Sequence, residues 1–219
     1  MHNTVQNLVN IENKIKSNLS NLQINNLPKI IAVSKTFKIE KILPLIEYGH
    51  VHFGENKVQE AIDKWTEIKS KNSNIKLHMI GKLQTNKVKF AVKLFDFIHT
   101  VDNEKLAKKI ADEQIKINKK ITIFIQVNIG NEEQKSGVNK KELSKLIFYC
   151  KKFNLDIAGL MCIPPIHSET SKYFKEMNLL NKDFSFLELS MGMSSDYISA
   201  SENLATYLRI GSSIFGKRS

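Results

Sequence analysis

The chain has 219 residues, 42% of them hydrophobic and 25% charged, with 4 prolines and 9 glycines, a composition that belongs to folded globular proteins and excludes disordered and fibrous chains. Its net charge of +11 invites a nucleic-acid partner, because basic surfaces attract phosphate backbones. Yet Arg209 and Arg218 are the only arginines, so bidentate base reading is poorly supplied, no RRM, KH or helix-turn-helix signature accompanies the charge, and no specific nucleic acid is expected.

No apolar run approaches the ~20 residues that cross a membrane, so no membrane partner is expected either. The first 22 residues lack the basic start, apolar middle and small-residue cleavage site of a secretory signal. They instead space Val5, Leu8, Val9, Ile15, Leu19 and Leu22 as an amphipathic helix. Short β-branched runs then alternate with stretches of helical period, the pattern of a parallel sheet with crossover helices. Strands are predicted at 30–34, 51–54, 77–80, 97–100, 121–128, 155–161, 186–189 and 207–210. Helices are predicted at 39–48, 58–68, 87–94, 104–115, 141–153 and 171–181. Eight units close a single (β/α)8 TIM barrel. An open doubly wound sheet is the alternative, although it usually carries a glycine-rich turn after its first strand, where Ser34-Lys35-Thr36 stands here. Irregular chain is expected at Gly130–Val138, at Pro164-Pro165 and after Gly216. Cys150 and Cys162 lie in apolar stretches without C-x-x-C spacing or histidine neighbours. They read as reduced core thiols, and a cytoplasmic location follows.

The working face of such a barrel is the C-terminal end of its strands. Lys35 follows the buried run Ile30-Ile31-Ala32-Val33, where a desolvated ammonium loses pKa and becomes a carbonyl nucleophile. At the other end of the chain, Ser190–Asp196 and Arg209–Gly216 are expected to follow strands seven and eight. Barrels of this type frequently bind phosphate in the loops after those strands, and Gly211 would let backbone approach an anion. A lysine on strand one opposite such a cradle is what a pyridoxal phosphate site requires. Arg209 would then face the pyridine nitrogen and, being unable to give up its proton, would leave that nitrogen unprotonated and weaken the electron sink.

The segments Ala32-Val33-Ser34-Lys35-Thr36, His52-Phe53-Gly54-Glu55-Asn56 with Val58-Gln59-Glu60, His78 to Lys87, Lys135-Ser136-Gly137, Gly159-Leu160-Met161, Ser190 to Asp196 and Arg209 to Gly216 resemble, in order and spacing, the motifs of the pyridoxal phosphate homeostasis protein family. The resemblance implies an α/β fold like the N-terminal domain of alanine racemase, a fold type III barrel with an N-terminal helix and no additional β domain, with residues 1–219 as one domain. It implies pyridoxal 5′-phosphate held as a Schiff base on Lys35, with Ser194, Gly211 and Ser212 on the phosphate. Arg209 would face the ring nitrogen, and Asn56 and Met161 would line the ring. The family has a second acidic residue and an Ala-rich helix start after the Gly-Met-Ser segment, where this chain reads Tyr197-Ile198-Ser199-Ala200-Ser201. That departure concerns the helix rather than the phosphate contacts. His78 and Gln84 read as satisfied polar groups at the barrel rim, Asn86-Lys87 as a helix start and Lys135 as solvent-facing.

The implied function is a monomeric, non-catalytic carrier or buffer in the homeostasis of vitamin B6 that passes cofactor to PLP-dependent apoenzymes, with no catalytic residue and no metal. The alternative is a PLP-dependent amino-acid racemase. Racemisation needs a second base, which the alanine-racemase type takes from an added β domain and a partner subunit, and a chain ending at Ser219 is expected to have no room for that domain.

Overall fold

The computed structural model describes residues 1–166 and 168–217. His167 and the last two residues of the expected tail, Arg218 and Ser219, lie outside the described residues. Eight parallel strands close a barrel in chain order: β1 (Lys29–Val33), β2 (His52–Glu55), β3 (Lys76–Met79), β4 (Phe97–Val101), β5 (Thr122–Val127), β6 (Asp156–Cys162), β7 (Glu188–Met193) and β8 (Tyr207–Ile210). Closure is made by β1 on β8, where Ile31 registers with Arg209. This is the predicted (β/α)8 barrel, with α1 (Asn3–Asn21) preceding it.

The crossover helices are α2 (Leu43–Glu47), α3 (Val58–Lys71), α4 (Val88–Leu94), α5 (Glu104–Lys116), α6 (Leu143–Lys152), α7 (Thr170–Asp183) and α8 (Tyr197–Glu202), and α9 (Ser212–Phe215) follows β8. The predicted helix 39–48 is broken into a 3-10 turn, Ile39–Lys41, and α2. Pro44 explains the break: its ring would clash with the carbonyl four residues back, so it is tolerated only in the first turn of a new helix. Asn86-Lys87 does lead into a helix, through a 3-10 turn at Thr85–Lys87. The prediction for β7 is corrected as well. That strand does not end at Leu189 but runs to Met193, because Ser190 pairs with Met161 and Tyr207, and Met193 pairs with Arg209.

Two apolar layers result. Between barrel and helices, Phe53, Trp65, Phe95 and Phe174 are fully buried, each stabilising the fold by about 1.5–3 kcal/mol. On its buried face α1 presents Val5, Leu8, Ile11, Ile15 and Leu19, and Asn7 Nδ2 ties it to the Ile214 carbonyl at 2.9 Å. Leu22 falls outside that face and is exposed. Inside the barrel, Ile31, Phe124, Met161 and Tyr207 form a second cluster. Both cysteines are buried and free, with burial pushing each thiol up to about 12.

Candidate functional site

The C-terminal ends of β1, β7 and β8 open into a cavity of about 470 Å³, on the face where barrels of this class place their sites. Lys35 lines one wall, with Ser194, Gly211 and Ser212 on the β7 and β8 side and Arg209 within the lining. Val33, Ile80 and Ile163 supply apolar surface. Five of the seven residues expected to meet at a site therefore share one cavity. Asn56 and Met161 are not among its lining residues. Met161 belongs instead to the interior cluster with Ile31, Phe124 and Tyr207, a position set by its pairing with Ser190 and Gln126. Asn56 is half-buried after β2, and its Oδ1 is buried with no hydrogen-bond partner.

The turn carrying Lys35 is pinned on both sides. Ser34 N–H donates to Gly54 O at 3.0 Å, and its hydroxyl donates to Glu55 Oε1 at 2.7 Å. Lys64 Nζ donates to the Ser34 carbonyl, to Glu55 Oε1 and to Glu60 Oε1, each at 2.9 Å. Thr36 adopts φ 68°, a left-handed conformation that costs a β-branched residue about 1–3 kcal/mol. Its N–H is held by Glu60 Oε1 at 2.5 Å, and Phe37 N–H returns to Ser34 O at 3.2 Å. Charged side chains of β2 and α3 thus stabilise a strained turn that directs residue 35 at the mouth.

Opposite, Ser194 Oγ accepts from the backbone N–H groups of Gly211 and Ser213, both at 3.3 Å. Asp196 Oδ1 accepts from Met193 N–H at 2.6 Å and shapes the preceding turn, while Gly192 takes φ 87° with Ala200 and Leu208 packed where a Cβ would stand. Gly211 is close to Val33, whose Cβ and carbonyl would lie 3.3 Å from an added Cβ. Arg209 is 4% exposed. Its Nη1 donates to Ser190 Oγ and its Nη2 to the Cys162 carbonyl, both at 2.8 Å, and burial lowers its pKa from the usual value.

The expectation for His78 is corrected: it is not at the rim but wholly buried inside the barrel, hydrogen-bonded to His52 and His99. Gln84 is exposed ahead of α4. Lys135, read as solvent-facing, is paired with Glu132 at 2.7 Å and donates to the Pro164 carbonyl at 3.3 Å. The roles of His52, His99, Ser190 and the Glu55–Lys64–Glu60 cluster were not anticipated. The inward period of β4, Phe97-x-His99, was the available signal for one of them.

Residues 11–219 match the family model described as alanine racemase, N-terminal domain. The chain is 34% identical over 231 residues to the pyridoxal phosphate homeostasis protein of Haemophilus influenzae, covering 99% of this chain and 96% of that one. A solved structure of PipY from Synechococcus elongatus with PLP bound superposes with a TM-score of 0.81 at 32% identity, over 92% of this chain and all of that one. Alanine racemase of Clostridium difficile shares the fold alone, with a TM-score of 0.74 at 16% identity; the match spans 98% of this chain and 56% of that one.

Proposed function

The chain belongs to the pyridoxal phosphate homeostasis protein family, within the alanine racemase N-terminal domain class, and from that membership we propose that it binds pyridoxal 5′-phosphate at the mouth formed by β1, β7 and β8 and keeps it exchangeable, as a carrier or buffer rather than a catalyst. One observation carries this: an amine, Lys35, shares a single cavity with a hydroxyl and backbone cradle at Ser194, Gly211 and Ser212 and with a buried cation, Arg209. The cofactor supplies an aldehyde that condenses with an amine and a ring that withdraws electrons.

The residues fit that group. Lys35 is the condensing amine, held to the cavity by the pinned turn. Ser194 and the Gly211 and Ser212 amides hold the phosphate, using a region where two amides already converge on one hydroxyl oxygen. Arg209 faces the ring nitrogen as a donor that keeps its proton, which leaves the ring a weak electron sink and accounts for a protein that binds without turning over. Asn56, outside the cavity lining, keeps a buried Oδ1 without a hydrogen-bond partner. The relatives are named for homeostasis rather than for a reaction. The same proposal makes the protein a cytoplasmic monomer serving PLP-dependent apoenzymes; among the described residues no helix is long and apolar enough to cross a membrane.

Borohydride reduction of the loaded protein followed by peptide mapping tests the site. The phosphopyridoxyl group is expected on Lys35. A main adduct on another lysine, or a full visible absorption band in Lys35→Ala, would overturn the assignment.

A further inference from the structure

Arg209 is a buried cation without a carboxylate bonded to it among the described residues. Its two hydrogen-bond acceptors there are a hydroxyl and a carbonyl; burial lowers its pKa, and Asp196 opposes that only through space. A guanidinium in that position normally needs a bonded anion or an equivalent set of dipoles.

The structure contains such a set. Ser190 Oγ lies 2.8 Å from Arg209 Nη1 and 2.9 Å from His99 Nδ1. His99 Nε2 lies 2.8 Å from His78 Nδ1, and His78 Nε2 lies 3.0 Å from His52 Nδ1. His78 and His99 are fully buried, stacked on Phe97 and Phe124 at 4.3 Å. Burial holds both imidazoles well below their usual pKa, and that of His52 at about 4, so all three are neutral at pH 7.

The direction of every bond follows from the arginine. A guanidinium has no lone pair to offer, so Ser190 Oγ accepts from it; the hydroxyl is fully buried and its other contact is His99 Nδ1, so keeping its own proton bonded directs that proton to His99 Nδ1. His99 then carries its proton on Nε2 and donates to His78 Nδ1. His78 in turn donates from Nε2 to His52 Nδ1, and the Nε2–H of His52 ends the chain on the N-terminal side of the barrel, beside α1. Each imidazole therefore turns its electron-rich Nδ1 toward Arg209 and its N–H away. Aligned hydrogen bonds polarise one another in a low-dielectric interior.

We propose that Ser190, His99, His78 and His52 are positioning residues that form an oriented, uncharged hydrogen-bond chain, which fixes the Arg209 guanidinium and stabilises its charge without neutralising it. A bonded carboxylate would hold the side chain equally well but cancel its charge. The dipole chain leaves a whole positive charge at the cavity, suited to an unprotonated ring nitrogen. That last consequence rests on the cofactor assignment above, whereas the orientation of the chain does not.

Nitrogen-15 NMR of the ligand-free protein at pH 7.5 tests the orientation directly. His52, His78 and His99 are expected to be neutral with the proton on Nε2, and an Nδ1–H tautomer or an imidazolium at any of them overturns the proposal. The Arg209 guanidinium N–H signals are expected to be sharp in the wild type, broadened by His99→Phe and restored by His99→Gln, which keeps one acceptor and one donor. With pyridoxal 5′-phosphate as probe, Kd is expected to rise about tenfold in His99→Phe and less than threefold in His99→Gln. Unchanged Arg209 signals in a folded His99→Phe protein would remove the link to the arginine. If His99→Phe does not fold, the wild-type tautomers decide. If the wild type fails to bind the probe, the cofactor assignment falls while the tautomers still judge the chain.

Discussion

Breaking the Glu55–Lys64 pair gives the most quantitative test of how the Lys35 turn is held. Glu55 is fully buried, and the Lys64 side chain is 9% exposed. Glu55 Oε1 accepts from the Ser34 hydroxyl at 2.7 Å and from Lys64 Nζ and Trp65 Nε1 at 2.9 Å. Glu55→Leu orphans the buried Trp65 Nε1–H and leaves the Ser34 hydroxyl only its long 3.4 Å bond to Gly54 O, at about 1–3 kcal/mol each, and removes one of the two carboxylates on Lys64, so a loss of about 3–6 kcal/mol is expected. Lys64→Met leaves Glu55 as a buried carboxylate without a cation and costs about 3–5 kcal/mol. The double variant leaves no fully buried charge unpaired, Glu60 being partly exposed, and is expected to lose no more than about 6 kcal/mol against about 8 kcal/mol for the mid-range sum of the two single changes, a coupling of about 2 kcal/mol. Urea unfolding of the four proteins, with m constant, measures this cycle. Additivity within about 0.5 kcal/mol would show that the pair does not act as a unit and would remove the account of the turn built on it.

Ser194→Ala combined with Gly211→Val is expected to weaken retention of pyridoxal 5′-phosphate at least tenfold in equilibrium dialysis, since one change deletes a hydroxyl worth about 1–2 kcal/mol and the other crowds Val33; unchanged affinity would place the phosphate elsewhere. The urea midpoint should fall as pH drops from 6.5 toward 4, because His50 and His52 are held at about 4 by burial, with His78 and His99 shifted the same way, so the unfolded chain binds more protons in that window. A midpoint flat between pH 6.5 and 4.5 would contradict their burial as neutral groups. Cys150 and Cys162, raised to about 12 inside the core, should resist a thiol reagent at pH 8 in the native state and react together on unfolding; rapid labelling of either in the folded protein would count against the packing described.

The barrel was legible in the sequence because strand and helix periods are local properties. Runs such as Ile30–Val33 and Ile121–Val127 alternate with stretches whose apolar residues recur every three or four positions, and eight such units have few ways to close. Lys35, Arg209 and Gly211 were legible for a related reason: each stands at or just past the end of β1 or β8, and strand ends in a parallel barrel share one face; Ser194 and Ser212 were singled out by the family resemblance. Short elements were not. Helices α8 and α9, with 6 and 4 residues, are too brief to show a period, and the extension of β7 through Gly192 depends on pairing with β6 and β8 that no single segment announces.

What only the tertiary structure decided is which side chains meet inside the barrel. His52, His78, His99 and Ser190 come from four different strands, and their spacing along the chain carries no trace of the 2.8–3.0 Å bonds that join them. Nor does it show that the Lys35 turn is held by Glu60 and Lys64 of α3, or that Met161 packs with Ile31 and Tyr207 instead of lining the cavity. Periodicity records which face of an element turns inward. The register between strands, fixed by closure of the sheet and by volume inside it, determines what an inward residue touches, and in this protein that register sets the surroundings of Arg209.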